Sequence, residues 1–244
     1  MLYWRKIIRR SLAKFGIKIS RVPKGIGGNA FLDMRMLLDS IHPLIFDVGA
    51  NVGQSVEYFL SVFPAAEIYS FEPSPSVFEK LQMNTAKFDR VRLWNQAFGS
   101  SNTELELLEH NASEWTSFLP PDGLNRRKVE RRTRVPVTTI DDFCETHGIN
   151  RIDILKSDTQ GYDLEVFKGA AKTFLRGAIT LVYCELPLAK HYQRESSCAD
   201  LFNFLVEHGF SLVSLYDINY EAGVASWTDG LFIHADSRKY GNAT

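Results

Sequence analysis

The sequence predicts an α/β domain built on a mostly parallel sheet of about seven strands, the last of them antiparallel, with helices on both faces. Three observations predict it. From Leu44 onward, short apolar runs alternate with stretches of helical periodicity, the pattern of strand, crossover helix and parallel strand. The first run, Leu44-Ile45-Phe46-Asp47-Val48, ends in Gly49-Ala50-Asn51-Val52-Gly53, where the glycines allow a tight turn and close backbone approach. Glu72 then arrives nineteen residues after Gly53, at the end of the second run Ile68-Tyr69-Ser70-Phe71, the spacing of a carboxylate that reads a nucleoside ribose.

The 244 residues can bury a full core, and no Ser-, Pro- or Gly-rich linker divides them. We read residues 44–244 as one domain carrying an inserted flap at about 100–138, preceded by a helical extension over 1–43. The net charge of −1 hides an asymmetry, because residues 1–24 hold eight Lys or Arg and no acid, leaving 20 basic against 29 acidic residues elsewhere. Trp4, Ile8, Leu12, Phe15 and Ile19 recur at helical spacing with the basic residues largely opposite. That helix either lies on an anionic membrane or on a partner subunit of a homo-oligomer, or packs on its own domain with a solvated basic face, the more ordinary outcome. Cys144, Cys184 and Cys198 are odd in number and lack Cys-x-x-Cys spacing, so neither a zinc knuckle nor a disulfide framework is expected. A reducing cytoplasm, with contact at the inner membrane surface through residues 1–24 as the alternative, fits this composition. No apolar run reaches membrane-spanning length and none reads as a signal peptide, so the sequons at Asn111 and Asn242 are chance matches.

Taken in order, Phe31 to Ser40 reads as a leader or lid helix with Leu32, Met36 and Leu37 on its apolar side. Strand 44–48, a helix over 52–62 and strand 67–71 make the first unit. Pro73-Ser74-Pro75 opens the next helix, with Val77, Phe78, Leu81 and Met83 as its apolar side, and strand 91–94 ends in the small-residue loop Asn95-Gln96-Ala97-Phe98-Gly99. Glu104 to Leu108 and Thr133 to Val137 read as exposed strands of the flap, and the six basic residues in 126–134 as a solvated loop or an acidic-substrate contact. No aromatic array or reader motif accompanies that cluster, so no nucleic acid is expected. Thr139-Ile140-Asp141-Asp142 resembles a capping box before a helix ending near Gly148. Strand 152–158 presents Lys156 and Asp158 on one face, since side chains two apart in a strand point the same way. A helix over 162–175, strand 179–184, a loop with His191 and Tyr192, a helix over 199–208 and the strands 210–216 and 231–234 complete the sheet, the last two as an antiparallel hairpin edge.

Open α/β sheets bind ligands beyond the carboxyl ends of their strands, where the strand order reverses. Asp47 to Gly53, Glu72-Pro73, Gln96-Ala97, Lys156 to Gly161 and Glu185 all fall there. Position 51 is Asn51 rather than glycine, and the turn has no lysine, so neither a pyrophosphate cradle nor a P-loop is indicated. S-adenosylmethionine has no phosphate, and its ammonium and sulfonium would be complemented by Asp47 and Asp158, its ribose hydroxyls by Glu72. Gly49, Asn51, Gly53, Pro73, Gln96 and Ala97 complete the expected cofactor set. Asp158 is the candidate base or electrostatic anchor, Lys156 its partner or the stabiliser of a developing alkoxide, and His191 the alternative base. The plainer readings are an ion pair for Lys156 and Asp158 and a surface position for His191. Ser117, Glu185 and His191 are the candidate substrate contacts. Asp158 with Glu185 lacks a third ligand, so no metal is expected.

Asp47-Val-Gly-Ala-Asn-Val-Gly53, Phe71-Glu72-Pro73, Thr139-Ile140-Asp141 and Leu155-Lys-Ser-Asp-Thr-Gln-Gly161 resemble the FkbM family of S-adenosylmethionine-dependent methyltransferases, in order over roughly 44–235. Gly209-Phe210 and Asp229-Gly230-Leu231-Phe232 resemble its closing elements. The resemblance implies a class I, Rossmann-like methyltransferase fold and O-methylation of a hydroxyl on a small molecule such as a sugar, glycolipid or natural-product glycoside. The chain departs from the family's Ile-Asp-Val-Glu-Gly by placing Gln160 where an acid is usual, and reads Trp115-Thr116-Ser117 where paired serines are common. Two alternatives stand beside this reading, an NAD(P)-dependent oxidoreductase and a non-catalytic module that binds membrane or nucleic acid through the basic segments.

Overall fold

The computed structural model of the chain describes residues 25–110, 113–122 and 128–237. The amphipathic segment 1–24, both sequons and Arg126 and Arg127 lie outside the described residues. In chain order, α1 (Ala30–Leu37) leads into β1 (Leu44–Val48), α2 (Gln54–Val62), β2 (Glu67–Phe71), α3 (Pro75–Thr85), β3 (Val91–Trp94) and the short β4 (Ala97–Phe98). The inserted pair β5 (Thr103–His110) and β6 (Val129–Thr138) follows, then α4 (Ile140–His147), β7 (Ile152–Ser157), α5 (Asp163–Lys168), α6 (Ala171–Leu175), β8 (Ile179–Pro187), α7 (Cys198–Glu207), β9 (Phe210–Glu221) and β10 (Val224–His234).

The main sheet has seven strands in the order β3-β2-β1-β7-β8-β10-β9. β3, β2, β1, β7 and β8 run parallel, whereas β10 is antiparallel to both β8 and β9. The expected hairpin is therefore present, but its antiparallel member lies inside the sheet and β9 forms the edge. Period-two alternation sends Phe46, Val48, Leu155 and Val182 to one apolar layer, beneath α4, α5, α6 and α7. Ile45, Ile154 and Leu181 go to the other, beneath α1 and α2.

Several local readings are corrected by packing. Helix α1 is a core helix that buries Ala30, Met34 and Leu38, while Leu32 and Met36 are about half exposed. A buried carboxylate sets its rotation, because Asp33 Oδ2 accepts 2.6 Å hydrogen bonds from the Tyr216 hydroxyl and the Gly27 N–H. The expected long helix over 162–175 is two helices. A side chain at Gly169, between them, would collide with the Gly99 carbonyl, and the Gly169 carbonyl accepts from the Asp141 N–H. Only half of the capping box forms: Thr139 accepts from the Asp142 N–H at 3.0 Å, whereas the Asp142 carboxylate turns to Asn102. Asp141 instead caps α6 in trans, accepting from the Lys172 and Thr173 N–H groups at 2.9 Å each.

The flap is a second sheet in the order β4-β6-β5. It is anchored rather than free. Leu107, Leu108, Glu109 and His110 of β5 are buried, against the expectation of an exposed strand, and Glu109 accepts from Ser74 and Thr133 hydroxyls. Segment 113–122 folds back so that Ser117 bridges Leu108 and Pro121 bridges Tyr192. Lys128, Arg131, Arg132 and Arg134 are exposed, the three arginines lying on strand β6 rather than in a loop.

Candidate active site

The strand order reverses between β1 and β7, so the loops leaving these strands diverge and open a crevice at the carboxyl edge of the sheet. The β1 turn is held by backbone. Gly49 and Ala50 N–H groups both donate to the Phe71 carbonyl at 3.0 Å. Gly49 has φ 76°, and a Cβ there would fall on the Asp158 carbonyl, so glycine is required by both conformation and space. Asn51 also takes positive φ, and its N–H donates to Glu72 Oε2 at 3.0 Å, while the Ser74 N–H donates to Glu72 Oε1 at 2.9 Å. Glu72 thus ties the first loop to the second. Its burial pushes the carboxyl up to about 7, against the pull of these two donors.

A cleft of about 640 Å³ lies over these loops. Gly49, Asn51, Glu72, Pro73, Gln96, Ala97 and Asp158 line it, together with Ser117, Thr159 and Gln160. Three buried polar atoms on residues of this wall, Asn51 Oδ1, Gln96 Nε2 and Thr159 Oγ1, have no hydrogen-bond partner among the described residues. Buried polar groups are normally paired, so an acceptor, a donor and a hydroxyl left open on one wall mark where a polar ligand would bond. Two of the expected cofactor residues lie elsewhere. Gly53 caps α2 and packs against Leu81 and Thr85. Asp47 is fully buried behind the wall, its Oδ1 3.0 Å from Lys156 Nζ and its Oδ2 accepting from the Ser55 hydroxyl at 2.5 Å.

Lys156 stands beside Asp47 because β1 and β7 pair in parallel with these two residues in register. Its ammonium also donates to the Gly49 carbonyl at 2.9 Å and lies 3.9 Å from Asp158 Oδ2. Burial would lower the Lys156 pKa, but Asp47 first and Asp158 next more than reverse that, so it stays charged. Lys156 therefore braces the loop from behind and lines neither cleft. Asp158 is the outward member of this row, its side chain 43% exposed.

A second cleft of about 580 Å³ is lined by Trp115, Asp158, Gln160, Glu185, His191, Tyr192 and Trp227. Asp158 and Gln160 belong to both clefts, and there the two meet. Gln160, at φ 53°, is the hub of the junction: its amide donates to Asp158 Oδ1 at 3.0 Å and its Oε1 accepts from the Tyr192 hydroxyl at 2.9 Å. The Ser117 hydroxyl donates to the Gln160 carbonyl at 2.7 Å, which places Ser117 at the first cleft rather than the second. His191 is 5% exposed, so it is not the surface histidine of the plainer reading; its Nε2 lies 3.0 Å from the Ser226 hydroxyl and 3.2 Å from the Ser226 carbonyl. Tyr192, Trp115 and Trp227 escaped the sequence reading as site residues, and Thr159 and Gln160 fall within the expected edge loop Lys156 to Gly161 with no role of their own in it. The one available signal was the amide at 160 where an acid is usual.

Burial raises four carboxyls, Glu72 to about 7, Glu185 to about 9 and Asp163 and Asp229 to about 6 each. Each binds its proton more tightly folded than unfolded, where carboxyls titrate near about 4. Stability from these groups is present below that range and is lost as pH rises through the raised values. The melting temperature should therefore fall from about pH 5 toward pH 9, and Glu185→Gln should flatten the upper part of that fall. A melting temperature that rises from pH 5 to 9 in thermal scans would contradict these protonation states.

The family model of the methyltransferase FkbM domain matches residues 47–212. The chain is 26% identical over 199 residues to the 2-O-methyltransferase NoeI of Sinorhizobium fredii (strain NBRC 101917 / NGR234), covering 77% of this chain and 80% of that protein. It is 23% identical over 138 residues to the hexuronic acid methyltransferase AglP of Haloferax volcanii, covering 56% of this chain and 54% of that protein. The crystal structure of methyltransferase FkbM from Methylobacillus flagellatus KT superposes with a TM-score of 0.56 at 15% identity, over 86% of this chain and 48% of that one. The shared architecture is the class I, Rossmann-like methyltransferase fold.

Proposed function

Because the chain belongs to the FkbM methyltransferase family, we propose that it methylates a hydroxyl of a sugar or sugar-bearing small molecule with S-adenosylmethionine as donor. The observation that carries this reading is the meeting of two clefts at Asp158 and Gln160, one with open nucleoside-type partners and one with aromatic and carboxyl walls. The names of two relatives, a 2-O-methyltransferase and a hexuronic acid methyltransferase, support an oxygen on a sugar as acceptor.

The residues present fit the cofactor. Glu72 would take ribose hydroxyls, Gln96 Nε2 would donate to a purine nitrogen, and Asn51 and Thr159 would take the remaining polar groups, while Gly49 leaves room for close approach. Pro73 and Ala97 supply the flat apolar walls. When bound, the sulfonium supplies an electrophilic methyl group. The chain's own task is to hold the acceptor oxygen in line and to accept one proton. Asp158 does this in our reading, since its carboxylate alone reaches both clefts, with Gln160 fixing its orientation and Lys156 supporting it from behind. His191 is a wall of the acceptor cleft, with Nε2 engaged by Ser226. Asp47 and Lys156 act through the loop they brace. The family match speaks against the oxidoreductase and the non-catalytic readings.

Transfer of labelled methyl from S-adenosylmethionine into a panel of glycosides tests the activity; a protein that binds the donor and labels no hydroxyl compound would overturn it. For the pocket, Glu72→Gln should weaken cofactor binding in calorimetry by about 10- to 100-fold, the loss of charge-assisted hydrogen bonds worth ~1.5–3 kcal/mol. Unchanged affinity in a folded variant would remove Glu72 from the site.

A further inference from the structure

We propose that the acceptor cleft selects neutral or amino sugars and rejects anionic ones, with Asp158, on the wall it shares with Glu185, as the discriminating charge; this rests on the sugar-methylation reading above. Two indoles, Trp115 and Trp227, line the cleft beside these carboxyl groups, so apolar sugar faces and sugar hydroxyls both find partners. Among the described residues lining the cleft there is no lysine or arginine. Lys156, behind the wall, lies 3.9 Å from Asp158 but is bonded more closely to Asp47 and to the Gly49 carbonyl. The described arginines of the basic run stand exposed on β6 and line neither cleft.

The groups around Glu185 deepen the asymmetry. Its carboxyl accepts no hydrogen bond among the described residues, and after burial the largest influences on it are the carboxylates of Asp158, Asp163, Asp229 and Glu195. A wall this crowded with acids, with the Lys156 ammonium behind Asp158 already shared with Asp47, disfavours a further carboxylate, sulfate or phosphate, while an amino or hydroxyl substituent meets acceptors there. The contrast with the hexuronic acid methyltransferase AglP is then one of acceptor charge.

The test uses the full chain saturated with S-adenosylhomocysteine, titrated with methyl hexosides of gluco, galacto and manno configuration, their 2-amino analogues and their uronides, and followed by tryptophan fluorescence. Neutral and amino glycosides should bind at least about tenfold more tightly than the matching uronides at neutral pH, and Asp158→Asn should narrow that gap, whereas Glu185→Gln, which replaces a carboxyl pushed up to about 9, should leave it. Uronides that bind as tightly as the neutral series, or a gap unchanged in Asp158→Asn, would overturn the inference and leave the sugar reading standing. If no glycoside binds while calorimetry still records S-adenosylhomocysteine, the sugar reading fails and takes this inference with it.

Discussion

Asp158→Asn is expected to lower methyl transfer by about 10²- to 10⁴-fold, the usual contribution of a positioned proton acceptor. The substitution keeps the shape of the junction, because an asparagine can still accept from the Gln160 amide that now donates to Asp158 Oδ1 at 3.0 Å. Measuring turnover and S-adenosylhomocysteine affinity on the same variant separates two roles. A fall in rate with affinity retained identifies the proton acceptor. A fall confined to affinity would instead make Asp158 an anchor for the cofactor's positive groups. His191→Asn is the comparison: full loss of rate there, with Asp158→Asn active, would move the base to the histidine.

Asp47→Ala is expected to destabilise the fold by about 3–5 kcal/mol, because it leaves the Lys156 ammonium buried without its counter-charge. For a chain of this size that corresponds to a melting temperature lower by about 6–20 °C. The partner substitution should be informative. Adding Lys156→Met to Asp47→Ala removes the uncompensated charge and should recover most of the loss, as a double-mutant cycle would quantify. A single variant that loses less than about 1 kcal/mol would mean the pair is solvated, as exposed ion pairs are. Asp47→Ala is accordingly a poor probe of cofactor contact, whereas Glu72, at the wall of the first cleft, is a direct one.

Much of the architecture was legible in the chain because it is written in local terms. Apolar runs of strand length, the Gly49 turn, the Thr139 cap and the Gly148 stop each depend on a few neighbouring residues, and each is present. The strand-end reading brought Asn51, Glu72, Pro73, Gln96 and Ala97 to the first cleft for the same reason: each sits at a strand end whose position the alternating pattern defines.

What the sequence by itself determined, then, was the strand series and the loop edge at which the first cleft opens. Tertiary structure alone decided which charges face that cleft. The parallel register of β1 on β7 sets Asp47 against Lys156, 109 positions apart, and so withdraws both from the cleft and leaves Asp158 at its surface. The pairing of Pro121 with Tyr192 brings the flap onto the loop after β8, and with it Trp115 and Gln160 to one junction. The rotation of α1 was likewise set by the Tyr216 hydroxyl on Asp33, far along the chain. The physical reason is common to all three: burial makes an unpaired charge or polar group costly, so its partner is chosen by proximity in space, which local periodicity does not encode.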